Sequence, residues 1–307
     1  MRRATLSKYR KLTGRTLQIL VTIVIMIFFL WPLYWTLVTS FKALGTEYRL
    51  PPEFWPSRFT LQAYRGVLGM PSVSQAEEEQ KGTVFSRSEQ VKGPNFLIPL
   101  RNSMIVSSLA AIVGLLMSSL SAYAIARLRF RYKIQALLLL QLGGIVPPIV
   151  VIAPVFALLK AVGLLQTLLG MIIPYSVYSV PVATWLLASY FAELPFELED
   201  AAKLDGYKPL QIFWRVILPL SGPGLFSAGV FAFLGAWGDF MLASTVTMGL
   251  TDVQTVPVAI MNFNFQFRYQ WTWMSAAVVL SIALVVSIAF AFQSRVIKGL
   301  TAGAVKY

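Results

Sequence analysis

The sequence predicts an all-α membrane protein of six transmembrane helices, with both termini cytoplasmic and an acidic helical loop between the fourth and fifth spans. Three observations predict it. First, 57% of the 307 residues are hydrophobic, 13% are charged, and the mean hydropathy is +0.67, which no ordinary water-soluble domain has. Second, six charge-free stretches are long enough to cross a bilayer: Thr16–Phe41, Asn102–Ala126, Ile134–Leu159, Ala161–Ala192, Val216–Gly238 and Tyr269–Ser294. Third, the net charge of +13 is concentrated where an N-terminus inside puts cytoplasmic segments. Arg2, Arg3, Lys8, Arg10, Lys11 and Arg15 precede the first span. Arg127, Arg129, Arg131 and Lys133 follow the second, and Arg295, Lys298 and Lys306 follow the sixth. Charge so placed argues topology rather than nucleic-acid binding.

Residues 1–15 are expected to be a basic cytoplasmic tail attracted to anionic lipid. The first apolar run is too long for a secretory signal and lacks a small-residue cleavage site, so it reads as a retained span. After it, Leu50-Pro51-Pro52-Glu53-Phe54-Trp55-Pro56 reads as an extended segment at the outer interface with Trp55 in the aromatic belt. Phe59–Tyr64 then starts a short helix, with Thr60 as its N-cap. Residues 69–95 are polar and bounded by Gly and Pro, an external flexible loop or a contact for a binding protein. In the second span Gly114, Ser118, Ser119 and Ser121 allow close helix packing. Pro147, Pro148 and Pro154 in the third span, and Pro174 and Pro181 in the fourth, must bend or break a helix unless neighbours satisfy the freed carbonyls. Broken helices are tolerated where they line a cavity, which makes these two spans candidates for a pathway; kinked packing helices are the alternative.

The loop 193–219 is charge-rich, with five acids against three bases up to Arg215. Residues 195–206 read as a helix: Pro195 suits its first turn, Glu197, Glu199 and Asp200 complement the positive N-terminus, Lys203 lies near the other end, and Gly206 stops it. Leu198, Ala201 and Ala202 share one face, and Glu199 is placed to pair with Lys203 at i, i+4. That narrow face suits another protein's groove better than lipid; a solvated loop helix is the alternative. Beyond it Gly222-Pro223-Gly224 interrupts the start of the fifth span. Asp239, in Trp237-Gly238-Asp239-Phe240, is an ionisable group near a span and so a functional candidate, either lining the external end of a pathway or bonding between helices. Residues 246–272 form an external loop in which Asn262, Asn264, Gln266 and Trp271 could bond to and stack on a sugar, or sit in an interfacial belt. Residues 299–307 form a cytoplasmic tail.

Asp200-Ala201-Ala202, three residues, Gly206, nine residues, then Val216-Ile217-Leu218-Pro219 resembles the EAA signature of ABC importer permeases, with Asp for Glu and Val for Ile. Other stretches resemble the carbohydrate-importing, MalG-like members. They are Asn102-Ser103, the closing Ala122-Tyr123-Ala124-Ile125-Ala126-Arg127 run, the Trp237/Asp239/Phe240 cluster, Thr255-Val256-Pro257-Val258, and the Gly299–Lys306 tail. The resemblance covers about residues 32–307, with 69–95 as an insertion. It implies the ABC importer permease fold, with 195–206 as a coupling helix docked on a separate ATPase through Glu197, Glu199, Asp200, Ala201, Ala202, Lys203, Asp205 and Gly206. It also implies an ATPase contact for the tail at Thr301, Gly303 and Lys306. The implied partners are a second, MalF-like permease, two ATPase copies that use ATP and Mg, an external solute-binding protein and the plasma-membrane bilayer.

The chain has no Cys and no His, which removes disulfides, thiol and imidazole chemistry and the usual zinc ligands. It also lacks a G-x-x-x-x-G-K-[ST] phosphate loop. A non-catalytic subunit that binds no cofactor or metal is therefore expected, and the resemblance implies a di- or oligosaccharide as its cargo. External Arg101, Lys160 and Arg268 leave a glycerol phosphate or an anionic oligosaccharide open. An ion-coupled secondary transporter is the rival, but it would need mid-membrane coupling groups and repeats that are not seen.

Overall fold

The computed structural model describes residues 2–44, 46–48, 50–70, 95–265 and 268–302, with side chains over 15–44, 46–48, 50–70, 95–263 and 270–290. The chain forms two compact units, Met1–Pro94 with Phe263–Ile282, and Asn95–Asn262 with Ala283–Tyr307.

In the first unit α1 spans Arg2–Ser40, so backbone helix is continuous through the basic residues into the apolar run. The Pro/aromatic segment straps back onto the end of α1. Tyr34 Oη donates to the Phe54 carbonyl at 2.7 Å, and Lys42 Nζ donates to that of Glu53 at 2.7 Å while lying 4.5 Å from the Trp35 ring. Lys42 is buried among them, and burial lowers its pKa against the opposing pull of Glu53 and Glu47. The short helix α2 runs Gln62–Val67. Thr60 does not cap it: Leu61 holds the N-cap position, and the Thr60 hydroxyl instead donates to the Lys42 carbonyl at 3.3 Å. Proximity in sequence proposed the cap, but the strap offered a competing acceptor. Gly66 lies flat against Trp273, whose ring a Cβ would meet at 2.7 Å.

The second unit is built on α3 (Leu97–Arg127) and α6 (Leu169–Glu193). They pack closely because α3 is small-residued on that side: a Cβ on Gly114 would sit 2.1 Å from Ser179 Oγ and 3.1 Å from the Ser176 carbonyl. The third apolar run is not one helix. It is α4 (Lys133–Ile145) and α5 (Pro148–Ala161), bent by 92° at Val146-Pro147. A residue before proline is driven out of the helical region, and Val146 is extended with ψ 122°. Pro148 then opens α5, where its missing N–H costs nothing. The fourth run behaves differently: α6 continues as helix through Pro174 and Pro181.

The loop after α6 carries α7 (Glu197–Leu204) and α8 (Pro209–Ile212). A π-helical turn over Phe213–Ile217 and the short α9 (Leu218–Leu220) lead to α10 (Gly222–Gly238), with an 82° bend between Leu220 and Gly222. The Gly-Pro-Gly interruption thus falls at a real break. Next come α11 (Met241–Thr247), α12 (Val256–Met261), a two-residue pairing of β1 (Asn264–Phe265) with β2 (Arg268–Tyr269), and α13 (Trp271–Ala302). Among the described residues four helices are long and apolar enough to cross a membrane, α1 from Arg15, α3, α6 and α13 to Phe290; counting each bent pair as one span gives up to six.

Two apolar clusters organise the second unit. One joins Tyr123 and Ile125 of α3, Leu187 and Phe191 of α6, Ala202 of α7, and Ile212, Phe213, Ile217 and Ala228. The other joins Val106 and Ala110 of α3, Met171 and Tyr175 of α6, Ala236, Val246 and Val258.

Candidate functional site

The loop helix α7 ends in a Schellman turn. Gly206 takes φ +82°, its N–H donates to the Lys203 carbonyl at 3.0 Å, and the Tyr207 N–H donates to that of Ala202 at 3.0 Å. The helix begins two residues later than the sequence reading places it, at Glu197 with Phe196 as N-cap, so Pro195 precedes the helix rather than sitting in its first turn. Of its eight residues only Glu199 and Ala202 are buried. Phe196, Leu198, Ala201, Leu204 and Leu210 remain exposed, Leu204 to 90%. The exposed face therefore combines apolar side chains with Glu197, Asp200, Lys203 and Asp205.

Glu199 does not pair with Lys203. Lys203 Nζ bonds Asp200 Oδ1 at 2.8 Å, whereas Glu199 Oε1 lies 3.2 Å from Nε of Arg127, the last residue of α3. Glu199 is buried within reach of the Arg127 guanidinium, while Lys203 stays exposed and takes the exposed Asp200. Arg127, with a wholly buried side chain, also donates from Nη2 to the Leu194 carbonyl and lies 4.3 Å from the Phe196 ring centroid. Burial pushes the Glu199 carboxyl above its usual range, against the pull of Arg127 and Lys203 and with a smaller push from Asp200.

A cavity of about 550 Å³ opens between α5, α6, α10 and α11. Its lining is mainly apolar, with Tyr175, Tyr178, Ser179, Asp239, Phe231 and Phe240 among the groups that could bind or stack. Its walls include both of the proline-containing runs. Asp239 terminates α10 and accepts from the Leu242 N–H at 3.2 Å, which anchors the start of α11. Among the described residues none that lines the cavity is basic.

The sequence profile of the family described as binding-protein-dependent transport system inner membrane component matches residues 110–301. This chain belongs to that family. The chain is 33% identical over 294 residues to the sulfoquinovosyl glycerol transport system permease protein SmoH of Agrobacterium fabrum, covering 96% of this chain and 95% of that one. It is 33% identical over 280 residues to the trehalose transport system permease protein SugB of Mycobacterium tuberculosis, covering 90% and 92%. In fold it is similar to a chain of a bacterial ABC transporter involved in the import of the acidic polysaccharide alginate. There the TM-score is 0.67 at 18% identity, over 92% of this chain and 97% of that one.

The other predicted residues are dispersed. Asp239 and Phe240 line the cavity, while Trp237 is buried outside its lining and stacked on Phe233 at 5.6 Å. Asn262 is exposed as a residue, but its amide donates to Gln254 Oε1 at 2.7 Å. Trp271 is half exposed and belongs to the first unit. The side chains of Asn264 and Thr301, and residues Gln266, Gly303 and Lys306 altogether, lie outside the described residues. Among the described residues no group of three His, Cys, Asp or Glu could hold a metal.

Sequence reasoning missed two features. Arg127 counted only as a topology charge and as part of a family motif. Asn102 and Ser103 were noted for their resemblance, without a role. In the structure Asn102 Nδ2 donates to the carbonyls of Asp252 and Gln254 at 2.8 and 3.0 Å, and Ser103 Oγ accepts from the Val256 N–H at 2.8 Å. A polar pair opening an apolar helix was the available signal.

Proposed function

We propose that this chain is the membrane-spanning, non-catalytic subunit of an ATP-driven importer for a di- or oligosaccharide delivered by an external binding protein. Residues 195–206 dock on a separate ATPase subunit on the cytoplasmic side, and a second homologous permease completes the pathway. The ATPase dimer uses ATP and Mg; this chain transmits the resulting motion from α7 to α6 and α10, to which the loop is tied in sequence. The observation that carries this reading is the exposed face of α7. A short helix that buries two residues and leaves Leu198, Ala201 and Leu204 to solvent between acids has the form of a protein-docking surface.

The sugar assignment rests on the relatives, whose names include trehalose and sulfoquinovosyl glycerol carriers. The cavity favours a neutral sugar over an anion: Asp239 is an acid with no base among the lining residues, and Tyr175, Tyr178, Phe231 and Phe240 offer faces for the apolar side of a pyranose. The test is uptake of radiolabelled trehalose, maltose and a glycerol phosphate by cells carrying the complete transporter. Uptake of a disaccharide is expected to survive a proton uncoupler and to stop on ATP depletion. Uptake that stops with the uncoupler while ATP stays high would overturn the reading.

A further inference from the structure

We infer that Arg127 is a positioning residue that locks α7 to the end of α3, so that loop helix and membrane helix move as one body. The inference rests on the docking reading above and adds a second path for the motion. Chain connectivity links α7 only to α6 and to α10.

The geometry singles out this residue. Glu199 and Ala202 are the two buried residues of α7. Ala202 contributes one methyl group to the cluster around Tyr123 and Phe213, while Glu199 meets Arg127. One guanidinium thus reaches three successive parts of the loop: the Leu194 carbonyl that closes α6, the Phe196 ring at the N-cap of α7, and the Glu199 carboxylate one turn in. These partners lie 67 to 72 positions away in sequence, so nothing local holds them together. A planar fork with several donors can span them; a lysine's point charge cannot.

The pair is better suited to fixing position than to adding stability. Both side chains are almost fully buried, and removing two charges from water costs about as much as their attraction returns. Arg127 Nε and Nη1 and Glu199 Oε1 are buried without a hydrogen-bond partner, so the two side chains meet as an ion pair rather than through an aligned hydrogen bond, and the guanidinium is held in place at some cost. Losing either partner leaves an uncompensated buried charge, which makes the tie all-or-none. Behind Arg127, α3 packs along α6 through Gly114, and the cluster of Tyr123, Phe191 and Ile217 continues toward α10. Displacement of α7 therefore enters the helix pair that supports the cavity walls.

The chain contains no cysteine, so spin labels can be placed at the exposed positions Arg129→Cys and Leu204→Cys without other changes. Distances between them are measured in the complete transporter in lipid nanodiscs, without nucleotide and with ATP on a hydrolysis-defective ATPase. In the Arg127-containing protein we expect one narrow distance, unchanged by ATP. In Arg127→Gln it broadens and shifts with ATP, and Arg127→Lys falls between the two. If Arg127→Gln does not assemble, Glu199→Gln is read in the same way. A distance that shifts with ATP when Arg127 is present, or stays narrow and fixed in the Gln variants, overturns the inference. Cross-linking of Leu204→Cys to the ATPase is the separate control. Its absence overturns the docking reading, whereas its presence with an overturned distance result overturns the lock alone.

Discussion

Gly206 holds φ +82°, a region that an L-residue enters only at a cost, and both N–H groups of the Schellman turn depend on it. Gly206→Val is expected to cost about 1–2 kcal/mol locally and to tilt the end of α7. The transporter should still assemble but hydrolyse ATP with reduced uptake; normal uptake per ATP would show that the turn does not matter to coupling. Gly206→Asn, which tolerates this conformation, should be milder. Glu199 gives a pH signature. Its raised pKa means that the fold binds the proton more tightly than the unfolded chain does. Stability tied to the protonated form is fully present below the ordinary glutamate value and is lost as pH rises through the raised one. The charged and titratable groups acting on or responding to Glu199 are Arg127, Lys203, Asp200 and Tyr123. The melting temperature of the assembled transporter should fall across that window, and the fall should flatten in Glu199→Gln. The same slope in both proteins would assign the effect to another group.

Elements in this protein end where backbone chemistry demands and are joined where side chains reach across. The third apolar run breaks at Val146-Pro147 because two prolines in succession leave no helical route through. Single prolines in α6 do not break it. The α11–α12 connection is held by Asn102 and Ser103 at the start of α3, so that a loop far along the chain is anchored to a helix end. Asn102→Ala leaves two carbonyls without their donor and should cost about 1–3 kcal/mol. The expected readouts are a lower melting temperature and faster exchange at Asp252–Val256. Unchanged exchange there would mean that the loop is held by apolar packing alone. Asn102 and Ser103 stood out in the sequence only through their resemblance to family members, and their hydrogen-bond partners lie about 150 positions away and could not be guessed.

At the scale of the whole molecule, the charge pattern makes a topological prediction that the fold alone does not. A single cysteine at exposed Leu204 should be labelled by an impermeant maleimide only after cells are opened. One at exposed Leu250 should be labelled in intact cells. The reverse pattern would place the α7 loop outside and end the importer reading. The family was legible in the sequence because its signature is a spacing along the chain, from Asp200 to Pro219, that no folding is needed to reveal. The division of the α7 residues was not legible. The acids and small residues of 195–206 looked like one docking set, yet Glu199 and Ala202 turn to the protein's own helices while Leu204 and Asp205 turn away.

By itself the sequence determined the apolar runs and the stop at Gly206. These follow from hydropathy and local backbone freedom, both of which act over a few residues. Tertiary structure alone decided that Glu199 meets Arg127 rather than Lys203, and that α5, α6, α10 and α11 enclose a cavity beside Asp239. Those outcomes depend on which distant groups arrive first-hand at a buried position, and low-dielectric surroundings make that arrival worth more than a nearer partner in water.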